Sequence, residues 1–276
     1  VEADYYVAAL PVEAMAGLVT DDLTRAAPSL AGIEKLETAW MNGIQFFLKD
    51  DVPLAHGHQI YPDSAWALTS ISQQQFWDAY DLRARTDGAV GGVLSVIVSD
   101  WNTPGPANGK PAKECSPEEI RDEVWTQLTD HLDRNHEREG LTEDNIYDWA
   151  LDPALNATEN GMDNGEPLLV NTVGSLSHRP AADTEIENLA LAADYVRTNT
   201  DLACMEGANE AARRAANAII ERSGVRTEPC EVRDLVEPAV FEPSKRQDEL
   251  RYRLGLPHPG EVRKDASRFV RRLARA

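Results

Sequence analysis

"NLALAADYVRTNTDLACMEGANEAARRAANAII", Asn188 to Ile220, passes from an apolar run through a polar loop into a helix whose apolar stripe is mostly alanine. Leu189 to Ala193 read as a short buried strand. It ends at Asp194, a carboxylate at the carboxyl edge of a sheet, where open α/β folds bind ligands. Thr198, Asn199, Thr200 and Asp201 follow, all residue types that cap the free amides of a helix start. Met205, Ala208, Ala212, Ala215, Ala216, Ile219 and Ile220 then recur at spacings of three and four, which predicts the buried stripe of a helix, with Arg213, Arg214 and Glu221 elsewhere. So thin a stripe, with Gly207 in the first turn, lets the helix backbone approach a flat partner closely. Its positive end faces the same edge as Asp194. A dinucleotide or flavin suits this pattern, and so does plain packing of helix on sheet.

Working outward, "ADYYVAALPVEAMAGLV", Ala3 to Val19, reads as a strand over Tyr5 to Leu10, a turn at Pro11 and a helix from Val12. A parallel strand needs neighbours, so this single strand-helix unit leads us to expect more of the sheet upstream. From about Leu23 to Asn160 the pattern is α+β. "GIQFFLKD", "WALTSIS" and "VGGVLSVIVSD" read as strands. "SPEEIRDEVWTQLTDHLDR" opens with a capping box, Ser116 with Glu119, and carries Ile120, Val124, Leu128 and Leu132 at helical spacing. Trp66, Phe76, Trp77, Trp101, Trp125 and Trp149 serve either the core or the lining of an apolar cavity. "DNGEPLLVNTVGS" gives a turn and another short strand. After Gly224 the chain is polar and proline-punctuated, with short helices at most, before a basic tail, "VRKDASRFVRRLARA".

The 276 residues carry 47 Asp and Glu against 27 Lys and Arg, a net charge of -20 that repels nucleic acid and anionic lipid alike. Nucleic acid is therefore not an expected partner. No apolar run approaches the roughly 18 to 20 residues that span a bilayer. The basic tail reads as a solvated amphipathic helix first and a peripheral membrane or partner contact second. Three cysteines, Cys115, Cys204 and Cys230, without CxxC spacing, point to a reducing, cytoplasmic setting and no zinc site. His56 and His58 in "AHGH" lack a third ligand nearby, so we expect no metal.

Asn188 to Tyr195 and Met205 to Ala208 resemble the C-terminal flavin motif of the phytoene desaturase and hydroxysqualene dehydroxylase-like branch of the flavin amine oxidase superfamily, NLFLAGDY followed by a loop and MEGA. "ADYYVAALPVEA", "RPAADTEIENL" and the stretch from Met41 to Trp77 are similar to further segments of that family, so the likeness covers most of residues 1 to about 222. The resemblance implies α/β plus α+β architecture: the C-terminal portion of a Rossmann-like FAD-binding domain with an inserted substrate domain of mixed sheet and helix. Residues 1–22 and 165–222 would belong to the FAD-binding part, 23–164 to the substrate-binding domain and 223–276 to a helical or irregular tail.

It also implies an FAD-dependent oxidoreductase acting on an apolar isoprenoid such as a carotenoid or squalene derivative. Ala193, Asp194, Tyr195, Met205, Glu206, Gly207 and Ala208 would be the cofactor-binding positions, with Asp194 at the ribityl or pyrophosphate region and Met205 beside the isoalloxazine ring. Ala203 would face the substrate. No catalytic acid or base is carried over. Two positions depart from the motif: Ala190 replaces a phenylalanine, and Ala193 replaces a glycine where backbone approaches the cofactor. The family's GxGxxG strand-turn-helix has no counterpart here, since "GAVGGV" lies mid-chain in the wrong context. The expected partner is accordingly the N-terminal half of the same enzyme, without which the chain would be inactive. Open alternatives are a non-catalytic remnant or lipid-binding module that has lost flavin, and a flavin amine oxidase.

Overall fold

A computed structural model describes residues 2–134 and 141–257. The chain divides into two units, residues 1–230 and 231–276. The first runs through β1 (Tyr6–Ala8), α1 (Val12–Ala16), α2 (Asp21–Ala26), a 3-10 stretch (Pro28–Lys35), β2 (Glu37–Ala39), β3 (Asn42–Leu48), β4 (Gln59–Ile60), β5 (Thr69–Ser72), α3 (Leu82–Arg85), β6 (Gly92–Val98) and α4 (Pro117–Arg134). It continues with β7 (Ile146–Leu151), β8 (Leu155–Thr158), β9 (Gly161–Asn164), β10 (Leu168–Val170), β11 (Leu189–Leu191) and α5 (Met205–Ser223). The second unit carries α6 (Glu242–Arg253). The basic tail falls outside the described residues.

The first unit holds two main hydrophobic cores. One is built on a five-stranded antiparallel sheet ordered β4-β5-β6-β3-β7. Strict alternation along β3 buries Asn42, Ile44, Phe46 and Leu48 on one face, as a period of two requires. The inward residues of β6, Leu94, Val96 and Val98, join them. Helix α4 contributes Ile120, Val124, Leu128 and Leu132, all buried, and Phe46 meets Trp125 with ring centroids 5.0 Å apart. Each such aliphatic side chain contributes roughly 1.5–3 kcal/mol by leaving water. The capping box forms as expected: the Glu119 amide donates to Ser116 Oγ at 3.2 Å, and the Ser116 amide to Glu119 Oε2 at 2.9 Å. Trp66, Trp101 and Trp125 are packed in this core, whereas Phe76 is exposed.

The second core gathers Val12 and Met15 of α1, Leu30 and Ile33 of the 3-10 stretch, Leu191, Tyr195 and Val196, and Ala211 and Ala215 of α5. Its sheet is the parallel pair β1 and β11, with Tyr6 opposite Leu189 and Ala8 opposite Leu191. The chain crosses between the cores at β2 and returns at β10, and these two strands pair antiparallel. The outer edge of β11 is closed by Asp183, which bridges Ala190. The outer edge of β1 has no strand beside it among the described residues, and Tyr6 and Val7 are exposed there.

Several sequence expectations are corrected in detail. The first and last strands of this pair are shorter than Tyr5–Leu10 and Leu189–Ala193, because after one further rung, Ala192 amide to Ala8 carbonyl at 3.0 Å, the chain turns with the Val196 amide on Ala193. In "WALTSIS" only Thr69–Ser72 is strand, since Ala67 takes a left-handed φ of 48° in the turn closed on Ser64. The buried stripe of α5 is rotated from the expected one. Gly207, Glu210, Ala211 and Ala215 are buried, whereas Met205 and Ala212 are exposed. The counting of alanines missed that Glu210 turns inward to bind the preceding loop, which fixes the helix's rotation.

Candidate functional site

Thirteen residues separate β11 from α5, and none of them is helix or strand. Buried charges hold the turn over Thr198–Asp201 in place. Arg179, which follows the 3-10 turn Ser175–His178, is fully buried. Its Nη1 lies 3.2 Å from Asp201 Oδ1 and 3.4 Å from the Asp194 carbonyl, and its Nη2 donates to Asn171 Oδ1. Asn171 in turn donates to the Asp201 carbonyl at 2.5 Å. Asp201 is held at φ 42°, uncommon for a residue with a side chain.

Glu210 secures the same loop from α5. It accepts the amides of Asn199 at 2.7 Å and Thr200 at 3.0 Å and the Thr200 hydroxyl at 2.8 Å, and pairs with Arg214 at 2.8 Å. Burial alone would raise the Glu210 carboxyl, but the hydrogen bonds from Asn199, Arg214 and Thr200 outweigh it and hold it below its ordinary range.

The loop presents groups that no described residue uses. The Asp194 carboxylate, half-buried, accepts no hydrogen bond from a described residue. At the start of α5 the Gly207 amide is taken by Cys204 Sγ at 3.3 Å and the Ala208 amide by the Cys204 carbonyl at 3.1 Å. The Met205 and Glu206 amides have no acceptor among the described residues. Met205 is 84% exposed, and Glu206 is exposed beside it. Val173 and Leu202, on the segments that Asn171 and Asp201 tie together, are exposed as well.

A model of the flavin-containing amine oxidoreductases matches residues 1–220. The chain belongs to this family. No curated protein matches it significantly. A flavin-dependent oxidoreductase of this kind needs polar groups for the ribityl chain and amides for the ring carbonyls, and the unused carboxylate and helix-start amides fit that need.

Of the positions named from the sequence, Asp194, Met205 and Glu206 therefore carry groups free to meet a ligand. Ala193 is buried, with its methyl group in the second core, and Ala203 and Ala208 are half-buried. Tyr195 is fully buried, and its hydroxyl has no hydrogen-bond partner among the described residues. Burial, with Asp194 adding to it, pushes that phenol well above its usual range, so it stays protonated. Gly207 is needed for space, because a Cβ there would stand 2.5 Å from the Leu202 carbonyl. Sequence reasoning missed Arg179, Asn171 and Glu210. The signal for Glu210 was present, a carboxylate inside an alanine stripe with Arg214 four residues on. Arg179 had no signal beyond its place in "RPAADTEIENL". Among the described residues no helix is long and apolar enough to cross a membrane, and no group of three His, Cys, Asp or Glu side chains could hold a metal ion.

Proposed function

We propose that the chain forms one wall of an FAD site, as the C-terminal part of a Rossmann-like flavin domain, in an enzyme that oxidises a long apolar isoprenoid such as a carotenoid or squalene derivative. The observation that carries this reading is the pair of unused groups at the two ends of one clamped loop, the Asp194 carboxylate and the first amides of α5. When bound, FAD supplies the hydride acceptor. Asp194 would hold the ribityl region through its carboxylate, and the Met205 and Glu206 amides would supply donors for the electron-rich ring. Exposed Met205 and Leu202 offer apolar surface against the flat ring and the substrate's hydrocarbon, where water has to be excluded.

The edge of β1 that no described strand covers supports a further part of the proposal, that the N-terminal dinucleotide-binding half of the same enzyme adds its strands beside β1. The isoprenoid substrate rests on the likeness of Asn188–Tyr195 and Met205–Ala208 to the phytoene desaturase branch.

The test is reduction of the flavin in the enzyme assembled with that half, without oxygen, by an isoprenoid polyene or by a primary amine. Bleaching by the polyene alone is expected. Bleaching by the amine alone assigns amine oxidation and overturns the isoprenoid reading.

A further inference from the structure

Tyr195 and Val196 anchor the start of the segment between Asp194 and Met205 in the second core, but the turn that follows them is held by charge. A wholly buried guanidinium and a buried carboxylate, from different parts of the chain, converge on the four residues Thr198–Asp201. Buried ion pairs contribute little net stability compared with apolar side chains of the same size, and their best-attested return is a single specified geometry. Here the specified object is a turn containing a left-handed aspartate, a conformation that persists only where its surroundings over-determine it. Arg179 also reaches past the turn to the Asp194 carbonyl, so one side chain fixes both the ligand-facing aspartate and the turn that leads to α5.

We propose that Arg179 and Glu210 are positioning residues for the flavin: together they set the separation and orientation of Asp194 relative to the first amides of α5. Arg179 acts through Asp201, Asn171 and the Asp194 backbone. Glu210 acts through the Asn199 and Thr200 amides. The inference rests on the flavin reading above for its ligand but not for the clamp itself. A guanidinium fork suits the task because it satisfies several acceptors in fixed directions, which an ammonium on a flexible stem does not.

The experiment compares the full chain with Arg179→Met, Arg179→Lys and Glu210→Gln. Hydrogen exchange at Asn199, Thr200 and Asp201 is measured without flavin, and FAD affinity and the visible spectrum of the bound flavin are measured with the dinucleotide-binding half added. We expect exchange at these amides to rise at least tenfold in Arg179→Met and Glu210→Gln. FAD affinity is expected to fall at least tenfold, with a changed flavin spectrum and an unchanged thermal melt of the first core. Arg179→Lys should recover little of either. Unchanged exchange in both variants overturns the clamp. Faster exchange with unaltered FAD affinity and spectrum overturns the positioning role and leaves a structural one. A wild-type assembly that takes up no FAD overturns the flavin reading, and the exchange result then reports on the clamp alone.

Discussion

Glu210 Oε1 accepts the amide of Asn199 at 2.7 Å, so a carboxylate eleven residues further along the chain secures the loop that leads into its own helix. Its folded-state proton affinity is lowered, which fixes the sign of its pH dependence: stability from this group is fully present above the ordinary value of 4.5 and is lost as the pH falls through the depressed folded value. Urea unfolding should show the wild type losing more stability than Glu210→Gln between neutral pH and the acid side of that range. Equal losses would mean that the loop is held by something else.

Gly207 supplies a second prediction. A methyl group there would sit 2.5 Å from the Leu202 carbonyl, which is backbone and can yield only if the loop before α5 moves. Gly207→Ala should cost about 1–3 kcal/mol in chemical denaturation, the usual range for overpacking. It should also disturb exchange at Leu202 and Ala203 more than at the far end of α5.

In the sheet-and-helix core, Leu128 is fully buried against the five-stranded sheet. Leu128→Ala should destabilise by roughly 2–5 kcal/mol, while Ser116→Ala, which removes one half of the capping box, should cost about 1 kcal/mol. Both are read from urea midpoints. A loss from the serine change as large as that from the leucine change would contradict the packing described for α4.

The elements fixed by local rules were legible in the sequence. Helix α4 announces itself by Ser116, Pro117, Glu119 and four apolar residues in period, and β3 and β6 by runs that only a half-buried or buried strand accommodates. What remained hidden depends on distant partners. The rotation of α5 is set by Glu210 reaching Asn199 and Thr200, which no periodicity of alanines reveals, because alanine is tolerated on either face of a helix. The burial of Arg179 depends on Asn171 and Asp201, eight residues before it and twenty-two after it, meeting at one guanidinium. The motif residues Asp194 and Met205 were legible as words, and the structure adds that no described residue uses the Asp194 carboxylate or the Met205 amide.

The Asp194 carboxylate and the start of α5 are proposed above to form one flavin-binding wall. The most direct measurement is FAD titration, followed by flavin fluorescence, of the full chain with the proposed dinucleotide-binding half, for wild type and Asp194→Ala. Saturable binding by the wild type is expected, with at least tenfold weaker binding by the variant, a loss of roughly 1.4 kcal/mol or more, and the fold unchanged. Equal FAD affinity in the two proteins would contradict it.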